Sequence, residues 1–233
     1  MTSPPRPDVT PRPAGWWYAY RDAIPDWFQP YLLLEAAAHQ LREHADLLVP
    51  GLLQTPDYAY AVFQTRLATS GTERDHLVEV RLHRQHLLRR HLPPPPRLDV
   101  ILSEAVLLRV VGSRATMAGQ LRRLHEVSEL PHASIRVVPL AAGAHHGTVA
   151  GAFNLLDFPP GDGPPDVSSP DDGSTAEPSS VVYREFLTGA LYLDEVTEVD
   201  AYRRIWTSLD TLALDEQQSR HLIDKVRKEV HHG

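Results

Sequence analysis

The chain has 233 residues, enough for one large domain or two small ones with a real core, and its 42% hydrophobic and 23% charged residues are ordinary for a soluble globular protein. It has no cysteine, which excludes disulfides, thiol catalysis and cysteine-based zinc sites; no apolar run approaches the ~18 residues of a membrane span, and the Pro-rich start lacks a signal-peptide core, so a cytoplasmic location is expected. The formal net charge is −7, but Asp162, Asp166, Asp171, Asp172 and Glu177 carry −5 of it between Pro159 and Ser180, leaving −2 elsewhere and no basic tract to hold nucleic acid.

Met1 to Pro13 reads as a disordered or polyproline-like arm. The aromatic run Gly15 to Ala23 predicts a short helix, Asp26-Trp27-Phe28 another helical turn, and Pro30 opens a helix through Ala38. Glu35 is the only charge in that helix and has apolar neighbours on both sides, so it needs a cation or hydrogen-bond donors. From Leu41 to Val49 the period shortens to that of a half-buried strand carrying Leu41, Ala45, Leu47 and Val49, with Glu43 breaking the pattern.

Next comes Val49-Pro50-Gly51-Leu52-Leu53-Gln54-Thr55-Pro56. Pro50-Gly51 is a strong turn dipeptide, with Gly able to supply a positive φ, and Thr55-Pro56 reads as a helix cap followed by Pro at the first helical position. The apolar pair Leu52-Leu53 with the single amide Gln54 has two readings: the three line a binding cavity, or they lock the sheet to its helices. A helix follows to about Ala68, and the longest of this half runs from Glu73 to about His91. Leu77, Val80, Leu87 and His91 fall on one face of it, and Arg84 lies inside that apolar stripe. An Arg so placed meets a carboxylate, with Glu35 and Glu104 as candidates, or a bound anion.

Beyond the four prolines at Pro93–Pro96, strands are expected at Leu98–Leu102, Ser134–Val138, Phe153–Phe158, Val181–Phe186 and Ala190–Leu193. A short helix begins at Ser103-Glu104, and a longer one at Arg114–Glu129 buries Met117, Leu121, Leu124 and Ser128. Ala141–Gly151 reads as a flexible loop carrying His145-His146. Pro159–Ser180 reads as a disordered acidic loop across which the flanking strands pair as a hairpin. Two helices close the chain, Glu195–Ala213 burying Val199, Tyr202, Trp206 and Leu209, and Asp215–Val230 burying Leu222, Val226 and Val230. The expected fold is α+β: one mixed or antiparallel sheet of about five or six short strands wrapped by helices, in a single domain spanning residues 15–230.

Signatures of phosphate-binding loops, nucleophile elbows and zinc proteases are absent. The thirteen histidines lack metal-ligand spacing, so neither a metal nor a cofactor is expected. Glu35, Glu104 and Glu185 each sit beside an apolar run, as framework ion pairs or as parts of one polar pocket.

The run Trp27-Phe28, Tyr31-Leu32, Glu35, Ala38, then Val49-Pro50-Gly51-Leu52-Leu53-Gln54-Thr55 and Asp57-Tyr58-Ala59, resembles a known family. It is similar to the effector-type domain, domain of unknown function 5753, that follows an XRE-type helix-turn-helix in antitoxin-like transcriptional regulators. The likeness continues through Arg81, Arg84-Gln85, Ser103-Glu104-Ala105, Val137-Val138-Pro139-Leu140, Gly151-Ala152-Phe153, Val182-Tyr183, Glu185 and Tyr192-Leu193. It implies the sensing half of a regulator, binding a small molecule or a small partner protein, with a homodimer left open. Only fifteen residues precede Trp16, too few for a helix-turn-helix, so a stand-alone domain without direct DNA binding is expected. The alternative is a repurposed enzyme of natural-product biosynthesis, for example a cyclase, working by proximity and desolvation in the former ligand pocket. The candidate ligand-binding residues are Glu35, Leu52, Leu53, Gln54, Tyr58, Arg81, Arg84, Gln85, Glu104, His145, Phe153, Tyr183 and Glu185.

Overall fold

The computed structural model describes residues 15–66, 70–159 and 180–229. Six strands form one sheet: β1 (Gln40–Ala45), β2 (Arg97–Ser103), β3 (Ala133–Val138), β4 (Phe153–Asp157), β5 (Ser180–Phe186) and β6 (Gly189–Leu193), in the order β3-β2-β1-β4-β5-β6. β1 pairs parallel with β2, and β2 with β3, whereas β4 pairs antiparallel with both β1 and β5, and β5 with β6. Parallel neighbours need long crossovers. The first carries α2 (Pro56–Gln64) and α3 (Gly71–Arg84), the second α4 (Glu104–Leu108) and α5 (Arg114–Ser128). The sheet is therefore mixed, as an α+β domain allows, and its order reverses between β1 and β4.

Local chemistry starts the helices where the sequence places them. The side chains of Thr55, Ser70, Ser103 and Ser113 each accept a backbone N–H at the start of α2, α3, α4 and α5. α1 (Gln29–Ala37) follows a 3-10 turn at Asp26–Phe28. α7 (Val196–Leu212) and α8 (Glu216–Glu229) close the described chain.

Alternation along the strands creates two cores. On one face Leu98, Val100, Leu102, Ile135 and Val137 pack with Met117, Leu121 and Leu124 of α5 and Ile223 and Val226 of α8. On the other, Ile101, Val138, Leu155 and Val182 pack with Val199, Trp206 and Leu209 of α7. Among the described residues no helix is long and apolar enough to cross a membrane.

Four expectations are corrected. β1 ends at Ala45, not Val49: Asp46–Leu48 bends away, and Leu47 and Leu48 are exposed. The reason is that Val49 is bonded by side chains rather than by a neighbouring strand, its N–H donating to the Tyr58 hydroxyl and its carbonyl accepting from Gln54 Nε2. α3 ends at Arg84 and tightens into a 3-10 turn at Gln85–Arg89, leaving His91 exposed. The stretch expected to be a flexible histidine loop forms α6 (His146–Ala150), between Gly143 and Gly151 at φ +68° each. In α8 the buried residues are Ser219, Ile223 and Val226, with Leu222 only half-buried. The expectations for the N-terminal arm, for residues 160–179 and for Val230 lie outside the described residues.

Candidate functional site

The Pro-Gly stretch is clamped on every side. Gln54 donates to Val49 O at 2.7 Å and accepts from Arg81 Nη1 at 3.0 Å, while Gln85 Nε2 donates to Gln54 O at 2.6 Å. Gln120, fully buried on α5, spans the far side, accepting from Thr55 N at 2.7 Å and donating to Leu53 O at 2.8 Å. A buried backbone group without a partner is costly, so these amides fix a segment that no strand supports.

Gly51 is required here for a reason other than the positive φ its dipeptide predicts. The positive-φ glycines among the described residues are Gly112, Gly143 and Gly151. A Cβ on Gly51 would stand 3.2 Å from Arg81 Nη1 and 3.2 Å from Arg84 Nη1, so the missing side chain makes room for two guanidinium groups.

Those arginines lie three apart on α3 and point at the same turn. Arg84 makes a two-pronged pair with Glu35, Nε to Oε2 at 2.8 Å and Nη2 to Oε1 at 2.6 Å, with side chains only 8% and 4% exposed. Phe28 and Tyr31 flank the guanidinium at 5.2 and 5.3 Å. Burial opposes the charge on Arg84, but Glu35 outweighs it and holds the group above its ordinary value. Arg81 hydrogen-bonds Gln54, sits 4.8 Å over the Phe63 ring, and has no carboxylate within ion-pair distance among the described residues. Burial first, then the charge of Arg84, lowers its pKa to about 10.

Strand register supplies the facing wall. Val100, Glu43, Asn154, Tyr183 and Tyr192 are successive partners across β2, β1, β4, β5 and β6, so they form one row on one face of the sheet. Asn154 Nδ2 donates to the Tyr31 hydroxyl at 2.6 Å, the Tyr31 and Tyr183 rings lie 4.1 Å apart, and the Tyr183 hydroxyl donates to Glu185 Oε2 at 3.3 Å. Burial, reinforced by Glu185 and Tyr192, holds the Tyr183 hydroxyl well above the phenol range. Burial also drives the Glu43 carboxyl up to about 8, with Glu35 and Glu185 adding to the rise and Arg84 and Arg81 opposing it. At neutral pH Glu43 is therefore mostly a neutral acid able to donate a hydrogen bond.

Between these walls lies a cavity of about 410 Å³, bordered by Glu43, Gln54, Phe63, Arg81, Arg84 and Tyr183 among others. A void of about 20 Å³ shares Phe28, Phe63, Arg66, Arg81, Arg84 and Glu185 with it and continues toward Ile24 and Pro25. The larger cavity opens at the carboxyl end of β1, beside the β1/β4 reversal, which is where open sheets leave a crevice.

Of the expected site residues, Gln54, Arg81, Arg84, Tyr183 and Glu185 border this cavity, and Glu35 anchors it through Arg84. Phe153 borders it too, but its ring packs against Tyr202 at 5.0 Å and His44 at 5.8 Å on the opposite side of the sheet. Leu52 and Leu53 are buried in the main core, and the Tyr58 hydroxyl is taken by Val49 N. Gln85 buttresses the turn from outside. Glu104 lies apart, accepting from Leu140 N at 2.8 Å, and His145 caps α6 near His44. Sequence reasoning missed Glu43 and Asn154. Glu43 had a readable signal: it shares strand parity with the buried Leu41 and Ala45, so a charge there points inward. Among the described residues no group of three or more His, Asp or Glu side chains could hold a metal ion.

A six-stranded mixed sheet with a cavity at its switch point, apolar for the most part and carrying a few charged groups, defines an α+β domain. The chain belongs to the DUF5753 family, a domain of unknown function, whose sequence profile matches residues 28–225. No curated protein and no solved structure matches it.

Proposed function

We propose that this chain is a small-molecule-binding domain whose ligand occupies the cavity between α3 and the Glu43–Tyr183 row. It is read as the sensing part of an XRE-type regulator lineage. The observation that carries the reading is the cavity of about 410 Å³ with buried polar groups on two facing walls. Specific ligand sites combine such a mostly apolar chamber with a few placed polar groups. A small partner protein would instead engage the surface around the rim, where Leu47 and Leu48 are exposed.

The test is a fragment screen by native mass spectrometry, each hit being re-measured on Ala152→Trp. Ala152 lies exposed on the cavity border, so the indole narrows the mouth without entering the core. Hits that lose at least tenfold in affinity on A152W support the reading. Hits that bind both proteins equally, or no hits at all, contradict it.

One observation favours the enzyme alternative, including the cyclase version. A carboxyl raised to about 8 and bordering the cavity is suited to general-acid catalysis. On that reading a bound compound is turned over, and Glu43→Gln stops turnover while leaving binding in place.

A further inference from the structure

We propose that the cavity selects small organic acids, their carboxylate or other oxyanion seated on Arg81 and an uncharged acceptor group turned to Glu43. The proposal rests on the binding reading above and names its ligand class.

Three arginines border the cavity, Arg66, Arg81 and Arg84. Glu35 is spent on Arg84 through two hydrogen bonds. Glu185 lies 3.8 Å from Arg66 and accepts from the Tyr183 hydroxyl. Glu43 borders the cavity from β1 with no arginine within ion-pair distance among the described residues, and burial raises its carboxyl to about 8, so it is not the counter-ion of Arg81. Asp46 borders the cavity from the bend after β1, beyond ion-pair distance of Arg81. Arg81 is thus the cation left over. It uses one of its five N–H groups on Gln54, presents its plane to Phe63, and shares the Gly51 notch with a second guanidinium.

Both Nη1 atoms lie 3.2 Å from the Cβ position that Gly51 leaves open, so the two like charges converge there, and the one carboxylate bonded to either of them, Glu35, is held by Arg84. A half-buried guanidinium in that setting favours an incoming oxyanion, which it binds through a fork of N–H groups. The rest of the lining supports an organic rather than an inorganic anion, because Phe28, Tyr31, Val62 and Phe63 give the ligand body an apolar bed.

The experiment measures dissociation constants for matched pairs, 3-phenylpropanoate and indole-3-acetate each beside its primary amide, on wild type, Arg81→Gln and Arg81→Lys. The acids should bind wild type at least tenfold tighter than their amides. R81Q should bring the ratio to about one, and R81K should leave an intermediate ratio by keeping the charge but not the fork. Thermal unfolding checks that each variant is folded, and if R81Q is not, the wild-type ratio and R81K decide. Amides binding as well as acids, or a preference for acids that survives loss of Arg81, overturns the proposal. Neutral fragments that fill the cavity and are lost on A152W, with no acid binding, also overturn it while leaving the binding reading intact. An absence of any cavity-directed binding removes both.

Discussion

Arg81 and Arg84 sit one turn apart on α3, but Arg84 is paired with a carboxylate and Arg81 with the neutral amide of Gln54. That difference predicts opposite sensitivities. Arg84→Met strands Glu35 as an uncompensated buried charge and should cost about 3–5 kcal/mol in denaturant unfolding. Arg81→Met removes an unpaired cation along with one hydrogen bond and should cost less than about 1.5 kcal/mol. Equal losses would show that Arg81 is framework and not a ligand group. Gly51→Ala introduces no forbidden φ but crowds both guanidinium groups, so it should destabilise by about 1–3 kcal/mol.

Glu43 gives a pH signature. Its carboxyl is raised by burial to about 8 in the folded chain, against Glu35, Glu185, Arg81 and Arg84 nearby. The unfolded chain loses that proton near the ordinary carboxylate value and the folded chain only near 8. Stability should therefore fall as pH rises between those two points and level off above 8. Glu43→Gln removes the titration: it should match wild type near pH 4.5 and exceed it at pH 8 by on the order of 1–3 kcal/mol. A difference that does not change with pH would contradict this account.

At the scale of elements, the sequence signals that survived were those with a local physical cause. The Thr55, Ser103 and Ser113 caps and the inward face of α5 are set by neighbours a few residues away. The pairing of Glu35 with Arg84, 49 residues apart, was legible as one of two candidates, because each was a lone charge in an apolar stripe. What failed depended on long-range bonds. Whether Leu52 and Leu53 plug the core or line a cavity is decided by Gln120, which bridges Thr55 N and Leu53 O from a helix more than sixty residues away. Gln120→Ala leaves both groups without partners and should cost about 2–4 kcal/mol, a larger loss than Gln85→Ala, which frees the Gln54 carbonyl at a half-buried site. Similarly, His145-His146 reads as loop chemistry because neither residue is a strong helix former. It is the two positive-φ glycines and the docking of Gly147 against His44 and Leu209 that close the segment into α6.

At the scale of the molecule, the α+β class was legible in the sequence, whereas the strand order was not. No local feature of β1 shows that β2 pairs on one side of it and β4 on the other. Yet that order creates the chamber. It brings Asn154 and Tyr183 into the row of Glu43, and it leaves the bend after β1 to be closed by the Pro-Gly turn and α3. The Val49–Thr55 motif therefore works mainly as scaffold. Of its residues Gln54 faces the cavity with its neighbours Pro50 and Gly51, while Leu52 and Leu53 hold the turn to the core. The glycine makes room for the arginines, and the arginines give the cavity its charge.

The measurement that bears most directly on this account is a crystal structure of the protein soaked with the tightest carboxylate fragment. The account predicts density in the cavity, with the carboxylate bonded to Arg81 and the ligand body against Phe63. A fragment bound elsewhere, with Arg81 still bonded only to Gln54, would contradict it.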